Sequence, residues 1–178
     1  MRSKGDLIAA MNIKKSNNMI NYKEKQLIFS MLNEIALFGG LTAGELECLI
    51  PMLTTKSFEK GETIFSQGES PNNIFIIQSG EVKIIKKIQD VEIELVRFKE
   101  GNLFGETELI GIFKYIASAI ALTDLKLLVF SKSALYSLHS KDIKLFSKIL
   151  LNVARESCRR TAHTDEYWLN EMVKLRKK

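Results

Sequence analysis

The feature that most constrains this chain is a change of period in its middle. Between Lys56 and Ser131 eight short β-rich runs follow one another: KSF, TIF, NNIFIIQ, EVKIIKK, EIELVRF, NLF, ASAIAL and LKLLVFS. They are broken at Lys60-Gly61-Glu62, Gln67-Gly68-Glu69-Ser70-Pro71, Ser79-Gly80, Glu100-Gly101 and Thr123-Asp124. A single short strand cannot bury its apolar face. Many of them at close spacing close on one another as an antiparallel sandwich or barrel. Ser79-Gly80, between two apolar runs, reads as a tight hairpin. Ile93 and Leu95 alternate with Glu92, Glu94 and Arg97, the pattern of a half-exposed strand.

Helical spacing flanks this block. Leu27, Ile28, Met31, Leu32 and Ile35 predict a helix over Lys23–Ala36, stopped by Gly39-Gly40. Thr42 and Glu45 have capping-box spacing, which predicts a helix over Ala43–Leu53 burying Leu46, Leu49 and Ile50. Ser131 reads as the N-cap of a short helix over Lys132–Leu138. A long helix follows from Lys141 or Asp142 towards Lys177, with an apolar stripe of Ile143, Phe146, Leu150 and Val153. That stripe continues through Ser157, Thr161, Thr164, Trp168, Met172 and Leu175. So long a helix cannot bury its whole stripe on a small barrel, so a homodimer seam is the expected sink. The alternative is that Trp168 and Met172 fold back on their own domain. The expected fold class is mainly β with flanking helices: an antiparallel β jelly roll (a double-stranded β-helix) plus N-terminal helices and a long C-terminal helix. The expected organisation is a flexible arm over 1–21, a β domain with its N-terminal helices over 22–140, and the helix over 141–178 as the dimerisation unit.

Composition narrows the function. At 178 residues, 46% hydrophobic and 26% charged, the chain suits one cored domain with an appendage. The net charge of +5 sits partly at Lys14, Lys15, Lys174, Arg176, Lys177 and Lys178, and reads as solvated termini. Arg155, Arg159 and Arg160 likewise read as a solvated helix face. Cys48 and Cys158 form no CxxC pair and suggest reduced thiols in a cytoplasmic protein. The apolar run Leu7–Met11 is too short for a signal peptide, and no run approaches the ~18 residues of a membrane span. Metal chemistry in a jelly roll needs several histidines and a carboxylate, whereas this chain has only His139 and His163. No Ser-His-Asp, HExxH or Walker motif is present. The expectation is a protein that is not an enzyme and holds no metal.

Five segments add a resemblance: LFGGLTAGELECL, FEKGETIFSQGE, NNIFIIQSGEVKI, LVRFKEGNLFGE and ALTDLKLLVFSKSALYSL. In this order and spacing, from about Leu37 to Arg160, the chain resembles the cyclic-nucleotide-binding domain of the catabolite activator family, cyclic-nucleotide-dependent kinases and gated channels. The resemblance implies a regulatory module whose ligand is a small nucleotide-like molecule, cAMP or cGMP. It maps the phosphate-binding cassette onto GNLFGETELIGIFKYIASAIALTD. Phe104, Gly105 and Glu106 match. Gly105 would let backbone N–H groups approach the ligand, and Glu106 would accept a hydrogen bond from the ribose 2′-hydroxyl. Thr107 and Glu108 would begin a short helix aimed at the phosphate.

The cassette departs from the family at its cation. The phosphate-binding arginine falls on Tyr115, the preceding proline on Lys114 and the following small residue on Ile116, while Ala117 and Ser118 stay small. A guanidinium clamps a phosphate in two places, whereas Tyr115 offers one neutral O–H. Losing a hydrogen bond to a charged group costs about 1.5–3 kcal/mol, which is roughly ten- to hundredfold in affinity. Lys114 restores charge only if it turns inward, and strand alternation points it away from Tyr115. Thr161, beside Arg160, lies at the depth where the long helix closes the base end of the family's pocket. It is either a hydrogen-bond partner for an adenine edge across a dimer or a polar seam residue. A helix-turn-helix follows this helix in the activator branch. Because the sequence stops at Lys178, no sequence-specific DNA binding is expected.

Two readings stay open. One is a regulatory module that senses a nucleotide-like ligand through a degenerate cassette, holding a cyclic nucleotide weakly or not at all and signalling through its C-terminal helix. The other is a ligand-free adaptor or scaffold that keeps the fold for dimer or partner binding.

Overall fold

The structure, a computed structural model, describes Ile28, Leu32 and residues 35–176, the side chains of Glu108 and Glu171 aside. The arm expected over 1–21 and most of the helix expected over Lys23–Ala36 lie outside the described residues. Ile28 and Leu32 are helical and fully buried.

The described residues form eight strands in two antiparallel sheets of four. The first sheet holds β1 (Leu53–Phe58), β3 (Asn73–Ser79), β6 (Leu103–Phe104) and β8 (Leu125–Ser131), in the order β1-β8-β3-β6. The second holds β2 (Thr63–Phe65), β4 (Glu81–Ile88), β5 (Val91–Lys99) and β7 (Ser118–Ala121), in the order β2-β7-β4-β5. Each β-rich run of the sequence supplies one strand, and the expected jelly roll is the observed fold.

The first sheet is buried on both faces. Ile74, Ile76, Leu128 and Phe130 pack with Leu46, Leu49, Leu135, Leu138, Ile149 and Val153 of the flanking helices. Phe75, Ile77, Leu127 and Val129 pack inward with Phe65, Val82, Ala119 and Ala121. That double burial explains why NIFII and LLVF are unbroken apolar runs while β5 alternates and is mostly exposed.

Ser79-Gly80 is not a hairpin. Strands β3 and β4 belong to different sheets, and Gly80 is the corner where the chain crosses from one to the other. Its φ is +94°, and a Cβ there would lie 2.4 Å from the carbonyl oxygen of Asp124. Glycine is thus required by a close backbone crossing. The tight hairpin joins β4 to β5 instead. It pairs Ile88 with Val91 and places Gln89 at φ +56°.

Helix α1 (Ala43–Leu49) has the expected capping box. The Thr42 hydroxyl accepts from the Glu45 N–H at 3.3 Å, and the Glu45 carboxylate accepts from the Thr42 N–H at 2.7 Å. It ends before Leu53 because Pro51 falls in a 3-10 turn over Ile50–Met52. Helix α2 (Glu106–Gly111) follows β6. Helix α3 (Lys132–Lys141) starts at the expected cap, with Ser131 Oγ accepting from Ala134 N–H at 3.1 Å, and runs three residues beyond Leu138. Helix α4 (Ile143–Arg176) is capped by Asp142, whose Oδ1 accepts from Lys144 N–H at 3.1 Å and Leu145 N–H at 3.0 Å.

The buried face of α4 is rotated from the expected stripe. Leu145, Ile149, Asn152 and Val153 are buried, while Ile143 is 54% exposed. Apolar residues lie on both sides of the helix, so the sequence carries two overlapping stripes. A polar contact selects between them. Asn152 Nδ2 donates to the carbonyls of Leu37 at 3.0 Å and Gly39 at 2.9 Å, which caps the turn that precedes α1. Lys148 adds an ion pair to Glu45 at 2.7 Å.

Candidate ligand site

The cassette sits where β6 ends, α2 begins and α4 passes overhead. Gly105 makes the bend at φ +80°. A Cβ would lie 3.1 Å from the Asn73 carbonyl oxygen and 3.2 Å from the Phe75 ring, so only glycine fits. The bend turns Phe104 into the barrel and leaves Glu106 with no exposed surface.

Inside the barrel the rings form one continuous array. Tyr115 stacks on Phe65 with centroids 3.7 Å apart and planes 9° from parallel. Phe65 meets Phe75 at 5.9 Å and Phe104 at 6.0 Å. Phe104 stacks on Phe75 at 5.1 Å and on Phe98 at 6.1 Å. The backbone fixes Tyr115 from both sides. Its N–H donates to the Glu69 carbonyl at 2.9 Å, and its carbonyl accepts from Gly68 N–H at 2.8 Å. Tyr115 is 4% exposed. At the position expected for a phosphate-binding arginine, the chain therefore places a ring that belongs to the core.

The cation at the cassette comes from elsewhere. Arg160 of α4 donates to Glu106 Oε1, to the Leu103 carbonyl at 3.3 Å and to the Thr107 hydroxyl at 3.1 Å. Its guanidinium carbon lies 5.6 Å from the Phe98 ring centroid, within cation–π range. Thr107 in turn donates to Glu106 Oε1 at 3.1 Å. Sequence reasoning placed Arg160 on a solvated face, and the structure corrects that. The detectable signal is the buried stripe of α4 itself, since Leu145, Ile149, Val153 and Arg160 fall on one helix face at steps of four and seven. The other two arginines do lie outward. Arg159 pairs with Glu156 at 2.6 Å, holding that carboxyl below its ordinary value.

The remaining candidate residues separate. Ala117 is buried, whereas Ile116 is 51% exposed and Lys114 is exposed. Lys114 thus does not replace the missing cation within the barrel. Thr161 is exposed and its hydroxyl donates to the Ser157 carbonyl at 3.0 Å, within its own helix. A cleft of about 230 Å³ opens there, lined by Thr107, Ser157, Arg160, Thr161, Thr164 and Asp165. A larger cleft of about 540 Å³ lies around Phe58, Glu62, Ser79 and Asp124; it meets the cassette stretch only at its last residue and includes none of the candidate ligand residues, so it is not the site the motif marks. Among the described residues no group of His, Cys, Asp and Glu could hold a metal ion. No described helix is long and apolar enough to cross a membrane.

Comparison with known proteins agrees with the fold. Residues 55–142 match the family model for the cyclic nucleotide-binding domain. The chain is 25% identical over 129 residues to the type II regulatory subunit of cAMP-dependent protein kinase from Drosophila melanogaster, covering 72% of this chain and 32% of that protein. It spans about a third of the length of the curated relatives it matches first. In structure it is similar to a cyclic nucleotide-binding domain from Methylobacillus flagellatus, with a TM-score of 0.75, 24% identity and 84% of each chain covered. It is also similar to the catabolite activator protein of Thermus thermophilus, with a TM-score of 0.66, 25% identity, 75% of this chain covered and 61% of that one.

Proposed function

Since the chain belongs to the cyclic nucleotide-binding domain family through residues 55–142, we propose that it is a non-enzymatic regulatory module with a degenerate phosphate cassette, read out through the position of α4. One observation carries this reading. Tyr115 occupies the cation's place and is stacked on Phe65, while the retained Glu106 is held by a residue of the helix that would report occupancy. Gly105 and Glu106 keep groups that suit a sugar, and the strong anchor for a cyclic phosphate is missing. A cyclic nucleotide is therefore held weakly. Calorimetry with cAMP and cGMP tests this against a Tyr115→Arg variant. Wild type is expected to bind at least roughly tenfold more weakly than the variant, the value of one charge-assisted contact. Wild-type affinity equal to the variant's would overturn it.

The filled ring array favours a second reading, a ligand-free adaptor that keeps the fold as a scaffold. No thermal shift with a nucleotide panel at millimolar concentration would decide for it. In both readings the partner surface is the far half of α4, where Trp168, Leu169, Met172 and Leu175 are each more than half exposed. A second copy of this chain is the occupant we assign to it.

A further inference from the structure

We infer that β5 is a self-complementary edge: it pairs antiparallel with β5 of a second copy of this chain, with Glu92 of each strand opposite the partner's Arg97. The contact is separate from the far half of α4 and independent of any ligand.

Strand β5 is the outermost strand of its sheet and has one neighbour, β4. Residues 91–97 are all exposed, so no described part of the chain covers this edge. Its backbone groups can be traced from both ends. Ile88 and Val91 close a two-residue turn, so they bond across the hairpin. Alternation then turns the N–H and C=O of Glu92 outward. At the other end the Lys99 N–H donates to Asn102 Oδ1 at 3.0 Å, and the Lys99 carbonyl accepts from the Asn102 N–H at 2.9 Å. Lys99 thus faces away from β4, and alternation turns Arg97 the same way. Outward backbone groups on an exposed apolar strand are a template for another strand.

A bulge decides the register. Strand β5 pairs regularly with β4 except at Leu95, which falls between the pairs Ile84–Val96 and Ile85–Glu94. Val82, Ile84, Lys86 and Ile88 share one face of β4, the face of the buried Val82. Their partners Phe98, Val96, Ile93 and Val91 share that face too. Glu92, Glu94, Arg97 and Lys99 take the other one. In a regular strand residues 93 and 96 would lie on opposite faces. The bulge brings them to the same face, and one antiparallel offset then matches faces along both copies. Ile93 meets the partner's Val96, and Val91 meets the partner's Phe98. On the other face Glu92 meets the partner's Arg97, and Asp90 at the turn lies by the partner's Lys99. Two-fold symmetry makes each contact occur twice. Opposite charges directly opposed stabilise a strand pair. The same offset brings the outward backbone groups of Glu92 and Arg97 together. A slip of one residue sets Ile93 against the partner's Arg97 and loses faces and charges at once. Bulges and charges commonly guard an edge against pairing. Here they reject other strands and other registers and leave this one intact.

So short a ladder forms at higher concentration than the helix seam. Sedimentation velocity on the full chain carrying Trp168→Glu and Met172→Glu, which removes that seam, reads the ladder alone. This parent is expected to dimerise as its concentration rises into the millimolar range. Glu92→Arg and Arg97→Glu, each added to the parent, are expected to weaken that association at least tenfold. An equimolar mixture of the two restores it, because each charge again faces its opposite. A parent that stays monomeric overturns the inference. So does association that the reversals leave unchanged, or that mixing fails to restore. Hydrogen exchange on the parent needs no charge variant and decides if the reversals unfold the hairpin. The Glu92 and Arg97 amides are expected to exchange at least tenfold more slowly at millimolar than at micromolar concentration, and equal rates at both would sink the pairing.

Discussion

Tyr115 and Phe65 lie face to face, with ring centroids 3.7 Å apart and planes 9° from parallel. The stack places a loop residue in the centre of the β roll and ties the cassette's second half to β2. Truncation there removes a buried ring from a chain of four others. Tyr115→Ala is therefore expected to destabilise the fold by about 3–5 kcal/mol, the range for aromatic-to-alanine changes in a core. Tyr115→Arg is expected to lose stability as well, since the guanidinium leaves the stack, while cAMP binding strengthens. Denaturant unfolding and calorimetry on the same samples read the two effects with opposite signs.

A second expectation concerns Asn152. Its amide satisfies the carbonyls of Leu37 and Gly39, and both bonds are lost in Asn152→Leu. The side chain has nearly the same size, so the change isolates the polar contact. Leaving the carbonyl of the buried Leu37 without this donor costs about 1–3 kcal/mol, and the carbonyl of the exposed Gly39 adds less. Urea unfolding should show the midpoint falling with the slope unchanged. A midpoint equal to wild type would mean that packing alone sets the rotation of α4.

The tether between α1 and α4 titrates. Lys148, through its hydrogen bond, is the largest cause holding the Glu45 carboxyl below its ordinary 4.5, with the Thr42 N–H assisting. The folded value is thus depressed relative to the unfolded one. The stabilisation is fully present above 4.5 and is lost as pH falls through the folded value. Melting temperatures followed downward from 4.5 should fall less steeply in Lys148→Ala than in wild type. Parallel acid limbs would show that the pair contributes nothing.

Self-association is the fourth expectation. Trp168, Met172 and Leu175 lie on the half of α4 that contributes to neither core cluster of the described residues, and each is more than half exposed. Trp168→Glu with Met172→Glu should convert a dimer to a monomer in sedimentation velocity while melting of the β roll stays unchanged. A wild-type monomer at high micromolar concentration would remove the dimer.

Period and punctuation make most of the fold legible in the sequence. Strands TIF and LKLLVFS are readable to the residue: Gly61 and Gly68 bracket the first, and Asp124 and the Ser131 cap bound the second. The Thr42 and Ser131 caps were readable because side-chain capping is a local event with fixed spacing. What could not be read was non-local. Ser79-Gly80 looks like a hairpin in one dimension, and only the sheet partners of β3 and β4 reveal a corner. Arg160 looks solvated beside Arg155 and Arg159, because its partner Glu106 lies 54 residues away. The cassette's first half was legible from its motif, whereas the fate of its second half depended on Phe65, a residue outside the motif altogether.

Helix α4 is held by Lys148 and Asn152 in its first half and by Arg160 at its midpoint. Beyond Arg160 it continues to Arg176, a span of roughly 24 Å at 1.5 Å per residue. It therefore has the proportions of a lever whose fulcrum is the cassette. A tilt of about 10° at Arg160 would carry the tip roughly 4 Å, most of the ~5.4 Å rise of one helical turn. A displacement too small to see at Glu106 would arrive at Trp168 and Met172 as a change of register.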